Sequence, residues 1–285
     1  MATGFSYLES PRWREGRLWL SDFYTRHVVT VEPATGIVET VCEVDGQPSG
    51  IGWLPDGSML VVSMLDRRVL RLERGNLAEH ADLSKLIAWP ANDMVVDVLG
   101  RAWVGNFGYD LMAYQHPEPT SLIRIDPDGT ATPDGGDLMF PNGTVISNDE
   151  STLIVAETVG RRLTAFTIAA NGSLSDRRTW ADFDAAATRQ ATGAPVLPDG
   201  IALDAEGCLW VADALSGRVL RVAEGGGIKD EIETGTGAFA CMLGGDDGTT
   251  LFICAAPSYS AEERRHTRDG VLLAVEVAVP HAGRP

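Results

Sequence analysis

Six stretches of this chain repeat one spacing, in which two residues suited to a channel wall stand 13 to 15 positions apart. The pairs are Glu9 and Asp22, Ser49 and Ser63, Asn92 and Asn106, Asn142 and Glu157, Asp199 and Asp213, and Cys241 and Ala255. Brought together, these positions would collect five carboxylates and three Asn amides. Carboxylates crowded in this way repel each other unless a cation or solvent compensates. Every strong donor is an oxygen and no His or Cys cluster accompanies them, which selects a hard divalent ion such as Ca²⁺, Mg²⁺ or Mn²⁺. Asp and Asn at strand starts also cap turns, so the case for a cation rests on the set rather than on any one residue. Ser49 and Ser63 lack the Gly-x-Ser-x-Gly context of a nucleophile elbow. His27, His80, His116, His266 and His281 fall in outer strands or loops, with no carboxylate or Ser at a suggestive spacing.

The elements that must position these residues are hairpins. Gly50 to Val62 and Asp199 to Val211 both read strand, tight turn, strand, and weaker copies start near Glu9, Asn92, Asn142 and Ala240. A third apolar strand follows each hairpin: His27 to Val31, Arg68 to Leu72, Ser121 to Ile125, Arg162 to Phe166, Arg218 to Val222 and Val271 to Val277. A fourth, more polar segment usually comes next, as in Ile37 to Val44, Leu77 to Leu83 and Ile228 to Thr234, where charge suits an exposed edge. A four-stranded antiparallel unit repeated every 40 to 57 residues is the signature of a propeller blade. The fold expected is therefore all-β, a six-bladed β-propeller of four-stranded blades around a central channel. The sixth unit lacks a good fourth strand, and residues 4–8 are expected to supply it and close the ring.

Length alone, at roughly 150 residues per domain, suggests about two domains for 285 residues; the repeat count makes 1–285 one domain instead. Twenty-three basic against 40 acidic residues give a net charge of -17, which argues against nucleic acid or an anionic membrane as partner. The start of the chain has no signal-peptide pattern and no run approaches ~20 apolar residues, so a soluble cytoplasmic protein is expected, as a monomer or weak homodimer. Cys42, Cys208, Cys241 and Cys254 show no short paired spacing and read as buried thiols.

Four segments carry a resemblance. Glu9-Ser10-Pro11-Arg12-Trp13, Asn92-Asp93-Met94-Val95-Val96-Asp97, Pro141-Asn142-Gly143 and Leu197-Pro198-Asp199-Gly200 resemble, in order and at blade spacing, the signatures of the senescence-marker-protein/gluconolactonase/luciferin-regenerating-enzyme-like family. The resemblance implies one divalent cation held by Glu9, Asn142 and Asp199, with Ca²⁺ foremost and Mg²⁺, Mn²⁺ or Zn²⁺ as alternatives. It implies hydrolysis of a small lactone, with Asp199 taking the proton from the attacking water. Asn92 would face the substrate or complete the metal shell, and Asn106, Phe107 and Glu157 are expected to face the substrate. One position departs from the family: members acting on sugar-acid lactones carry an Arg two residues before the third-blade Asn, where this chain has Pro90. A donor for a polyhydroxylated ring is thereby missing, and Phe107, with Trp89 and Phe140, would line a more apolar mouth. The segments Asp184 to Val196 and Tyr109 to Pro119 are candidates for a lid. Two other functions fit the same propeller. Pro198 to Val219 also reads like a repeat of NHL-type interaction modules, which would make a non-enzymatic propeller, and the family resemblance extends to phosphotriester cleavage at the same ion.

Overall fold

The structure, a computed structural model, describes residues 2–283. Its strands form six four-stranded antiparallel sheets. The innermost strands, Leu8–Arg14, Pro48–Trp53, Ala91–Val96, Pro141–Ile146, Pro198–Leu203 and Gly237–Gly244, neighbour one another in that cyclic order and close a six-bladed β-propeller. Two short helices, Ala186–Thr192 and Ala261–Arg264, are the α-helical elements among the described residues. None of the described helices is long and apolar enough to cross a membrane.

Position within the blade decides composition. Second strands such as Met59–Ser63, Ala102–Asn106 and Leu209–Asp213 are buried along their whole length, because neighbouring blades cover both faces. They accordingly read as continuous apolar runs rather than alternating ones. The outermost strands Val38–Glu43 and Gly227–Glu233 are mostly exposed, and their charged residues protect an unpaired edge. In the sixth blade the outermost strand is Ala2–Phe5, which pairs antiparallel with Gly270–Glu276 through Ala2 opposite Leu272 and Thr3 opposite Val271. The closing strand thus starts nearer the terminus than residues 4–8, and Leu8 already belongs to the inner strand of the first blade.

Every inner strand breaks register near its start: between Glu9 and Arg12, Pro48 and Ile51, Ala91 and Met94, Pro141 and Thr144, Pro198 and Ile201, and Ala238 and Ala240. A bulge leaves a residue out of the ladder and re-aims its side chain. In the fourth and fifth blades a glycine follows the re-aimed residue because the next inner strand passes directly over it. A Cβ on Gly143 would sit 2.5 Å from the Asp199 carbonyl oxygen, and one on Gly200 2.6 Å from the Ala240 Cα. The sequences Asn142-Gly143 and Asp199-Gly200 thus place a donor at the channel and bring the strands close enough for the donors to meet.

Candidate active site

The bulges aim Glu9, Asn92, Asn142 and Asp199 into one cavity of about 310 Å³ at the mouth of the channel. All four are buried. A chain of hydrogen bonds fixes the amides: Ser49 Oγ donates to Asn92 Oδ1 (3.3 Å), Asn92 Nδ2 to Asn142 Oδ1 (3.0 Å), and Asn142 Nδ2 to Thr158 Oγ1 (3.1 Å). Thr158 Oγ1 in turn donates to the Pro198 carbonyl (2.8 Å), which ties the amides to the strand that carries Asp199.

The two carboxylates are less well provided for. Neither Glu9 nor Asp199 has an ion-pair partner among the described residues, and Asp199 Oδ1, fully buried, accepts no hydrogen bond. Burial raises the pKa of Glu9 well above the ordinary Glu value, and the charges of Asp199 and Asp93 add to it; bonds from the Ser10 N–H and Tyr7 hydroxyl offset only part. Burial likewise raises Asp199, with the charge of Asp93 adding and a hydrogen bond from Asn142 opposing. Asp93 itself is compensated, since Arg12 Nη2 reaches it at 2.9 Å and Ser10 Oγ donates to it at 3.0 Å. Two buried carboxylates beside oriented amides, with an oxygen left unpaired, form a donor set that fits a hard divalent cation. Glu9, Asn142 and Asp199 are the residues that could hold it, and Asn92 buttresses Asn142. Among the described residues no group of three His, Cys, Asp or Glu side chains gathers as an all-ionisable metal centre.

Several expected positions lie elsewhere. Asn106 is buried but faces its own blade, donating to the Ser121 carbonyl (2.8 Å) and accepting from Thr120 Oγ1 (2.8 Å). Glu157 is also absent from the lining. Arg162 grips its carboxylate at 2.7 and 2.8 Å, and the Met139 N–H adds a third bond at 2.8 Å. The reading of these two as substrate contacts is corrected accordingly: each pairs in register with the residue before a site residue and spends its polar atoms holding local backbone. Asp22 and Asp213 behave like Glu157. Asp22 accepts the Tyr7 N–H (3.0 Å), and Asp213 accepts the Leu197 N–H (3.1 Å) and pairs with Arg218 (3.1 Å). The five carboxylates expected at one mouth are therefore two at the cavity and three behind it. In the sixth blade the inward position belongs to Phe239, not Cys241, because the bulge falls two residues earlier than the sequence alignment suggests. Cys241 is instead buried near the Gly200 and Trp210 carbonyls.

Phe107 lines the cavity, packed on Phe140 with ring centroids 4.7 Å apart, and Pro90 lies beside them. Trp89 packs against the core cluster outside the lining. Opposite, Tyr7 packs on Phe23 (5.3 Å) and Phe239 (4.8 Å). Above these walls lie the two longest links between second and third strands, residues 107–119 and 257–269, each thirteen residues where the other four links have four. The first brings Tyr109, Leu111 and Met112, the second Tyr259, Ala261 and Arg265. The second link was missed by sequence reasoning, and its length was the available signal. The segment 184–196 forms no part of this roof. Its helix Ala186–Thr192 lies against the outer strand Gly227–Glu233, and the Thr192 carbonyl accepts from Arg218 Nη1 at 2.8 Å.

The chain is similar to known proteins over nearly its whole length. A 6-deoxy-6-sulfogluconolactonase of Pseudomonas putida is 30% identical over 97% of this chain and 93% of its own length. The pentonolactonase XacC of Haloferax volcanii is 27% identical over 97% and 92%. A luciferin-regenerating enzyme structure superposes with a TM-score of 0.82 at 21% identity, covering 98% of this chain and 94% of that one, a likeness of fold. Residues 8–257, from the strand that carries Glu9 to just beyond the second strand of the last blade, match the model of the SMP-30/gluconolactonase/LRE-like region, and the chain belongs to that family.

Proposed function

We propose that this protein is a divalent-cation-dependent lactonase. The observation that carries the reading is the pair of buried carboxylates without a cationic partner, Glu9 and Asp199, at the floor of a cavity with largely apolar walls. The similarity to two lactonases supports the choice of reaction. When bound by Glu9, Asn142 and Asp199, a divalent ion supplies positive charge that favours the developing carbonyl oxyanion and eases ionisation of water.

The chain's own residues do the rest. The substrate carbonyl lies over the floor, and the aromatic walls exclude bulk water from the ester. Asp199 accepts a proton from the attacking water as its oxygen bonds to the carbonyl carbon. The ring C–O bond then breaks, and the same proton passes from Asp199 to the departing alkoxide oxygen, leaving an open-chain hydroxy acid. Asn92, Asn142 and Thr158 keep the floor rigid through their hydrogen-bond chain, so little reorganisation accompanies the change in charge.

The test is a lactone panel read by proton release before and after chelation. Chelation is expected to abolish turnover, and adding back Ca²⁺, Mg²⁺, Mn²⁺ or Zn²⁺ in turn to restore it with at least one ion. Undiminished turnover after exhaustive chelation would sink the cation-dependent reading.

A further inference from the structure

The cavity proposed to hold the lactone ring offers the hydroxyls of a sugar ring few free partners near its floor. Each ring hydroxyl taken out of water needs a hydrogen-bond partner, and one buried without a partner is strongly penalised. The polar groups at the floor are already committed: Asn92 to Ser49 and Asn142, Asn142 to Thr158, Thr158 to the Pro198 carbonyl, and the Tyr7 hydroxyl to Glu9. Higher on the walls Gln47 Nε2 meets the Met64 sulfur at 3.5 Å and the Tyr24 hydroxyl the Tyr259 carbonyl at 3.5 Å, which leaves the Gln47 carbonyl and the Tyr109 and Tyr259 hydroxyls as the uncharged polar groups for a ligand. Pro90 has neither a side-chain donor nor a backbone N–H to offer. Arg265, the cation of the lining, is exposed at the mouth beyond the aromatic walls.

The walls instead continue outward as apolar surface. Leu65 is 54% exposed, Met112 49%, Leu215 63% and Tyr259 39%, and all four belong to the lining of the same cavity. Single exposed apolar side chains are ordinary on a protein surface; four on one rim, continuous with a buried apolar wall, mark a binding site. The rim comes from three blades and the 257–269 link, so it surrounds a chain leaving the cavity rather than capping one side of it.

We infer that the substrate is a γ- or δ-lactone bearing an alkyl chain on the ring carbon next to the ring oxygen. The ring lies over Glu9 and Asp199, and the chain runs between the aromatic walls to the rim of Leu65, Met112, Leu215 and Tyr259. This inference rests on the lactonase reading and specifies its substrate class.

The experiment compares kcat/KM for γ-butyrolactone, γ-hexalactone, γ-octalactone and γ-decalactone with that for δ-gluconolactone, with divalent cation present. The alkyl series is expected to rise by about fourfold per methylene, the equivalent of ~0.8 kcal/mol each, until the chain reaches the rim. Gluconolactone is expected to fall below the alkyl members. Leu215→Ser, at an exposed position that leaves the core untouched, is expected to lower the ratio of γ-decalactone to γ-butyrolactone about fivefold. A flat series, or a preference for gluconolactone, overturns the inference. The inert 5-alkyl-2-pyrrolidinones, titrated by calorimetry, separate it from the lactonase reading. Affinity that climbs with chain length supports the alkyl-binding cavity even where no lactone turns over, and affinity independent of chain length overturns it.

Discussion

Two sets of buried carboxylates on the two innermost strands of the first, fourth and fifth blades have opposite electrostatic fates. Asp22, Glu157 and Asp213, at the ends of second strands, are saturated: each accepts a backbone N–H from the segment entering the neighbouring inner strand, and Glu157 and Asp213 also hold an arginine. Glu9 and Asp199, at the starts of inner strands, have no cation beside them. The two sets are linked. The blades with an acidic second strand are those whose inner strands carry Glu9, Asn142 and Asp199, and the bonded N–H groups lie two or three residues before them. One set fixes the chain so that the other can be held where its charge is unfavourable. Burial alone does not mark function; burial without compensation does.

This contrast can be broken most decisively at Asp199. Asp199→Asn should lower lactone turnover by at least ~10²-fold, the scale of losing a positioned base. Urea unfolding of the same variant in chelator should show higher stability than the parent, because an unpaired buried charge has been removed. Glu157→Gln should do the reverse, lowering stability by about 1–3 kcal/mol as Arg162, Thr164 and the Met139 N–H lose a charged acceptor. If both variants move stability in the same direction, the distinction between the two sets is wrong.

The acid limb offers a finer measurement. Burial opposes ionisation of Glu157, but bonds from Arg162, Thr164 and the Met139 N–H outweigh it and hold its pKa below the ordinary Glu value. A carboxylate depressed in the folded state stabilises the fold above its unfolded pKa, and that contribution disappears as pH falls through the folded one. The stability gap between the parent and Glu157→Gln should therefore stay constant above about pH 5 and close as the pH drops further. Unfolding midpoints across pH 3 to 7 would show it; a gap that widens in acid contradicts the assignment. The smallest effect is expected at Thr158→Val, which removes the link between Asn142 and Pro198. It should cost about 1 kcal/mol of stability and less than ~10-fold in rate, read by urea titration and steady-state kinetics.

Much of this was legible in the chain. The third strands expected at His27 to Val31 and Arg218 to Val222 stand as strands His27–Val31 and Arg218–Ala223, because apolar runs and turn residues are local signals. Glu9, Asn92, Asn142 and Asp199 could be grouped because they recur at one point of a repeated unit. Glu157 and Asn106 could not be separated from them by the same means. Their spacing is as regular, and only the approach of Arg162 or of the Ser121 carbonyl shows that their polar atoms are already engaged.

The sequence by itself determined the number of strands, their pairing order, the six-fold repeat and the residue types available at the channel, since these follow from periodicity and turns along a continuous chain. The tertiary structure alone decided which carboxylates face the cavity and which lie behind it. A one-residue bulge in each inner strand reverses which side chain points inward, as at Phe239 and Cys241, and no composition signal marks the step. It also decided that residues 107–119 and 257–269, 150 positions apart, make one apolar roof. Closure of the ring brings the third and sixth blades to opposite sides of the channel, a relation between distant segments that exists only once every blade has packed against the next.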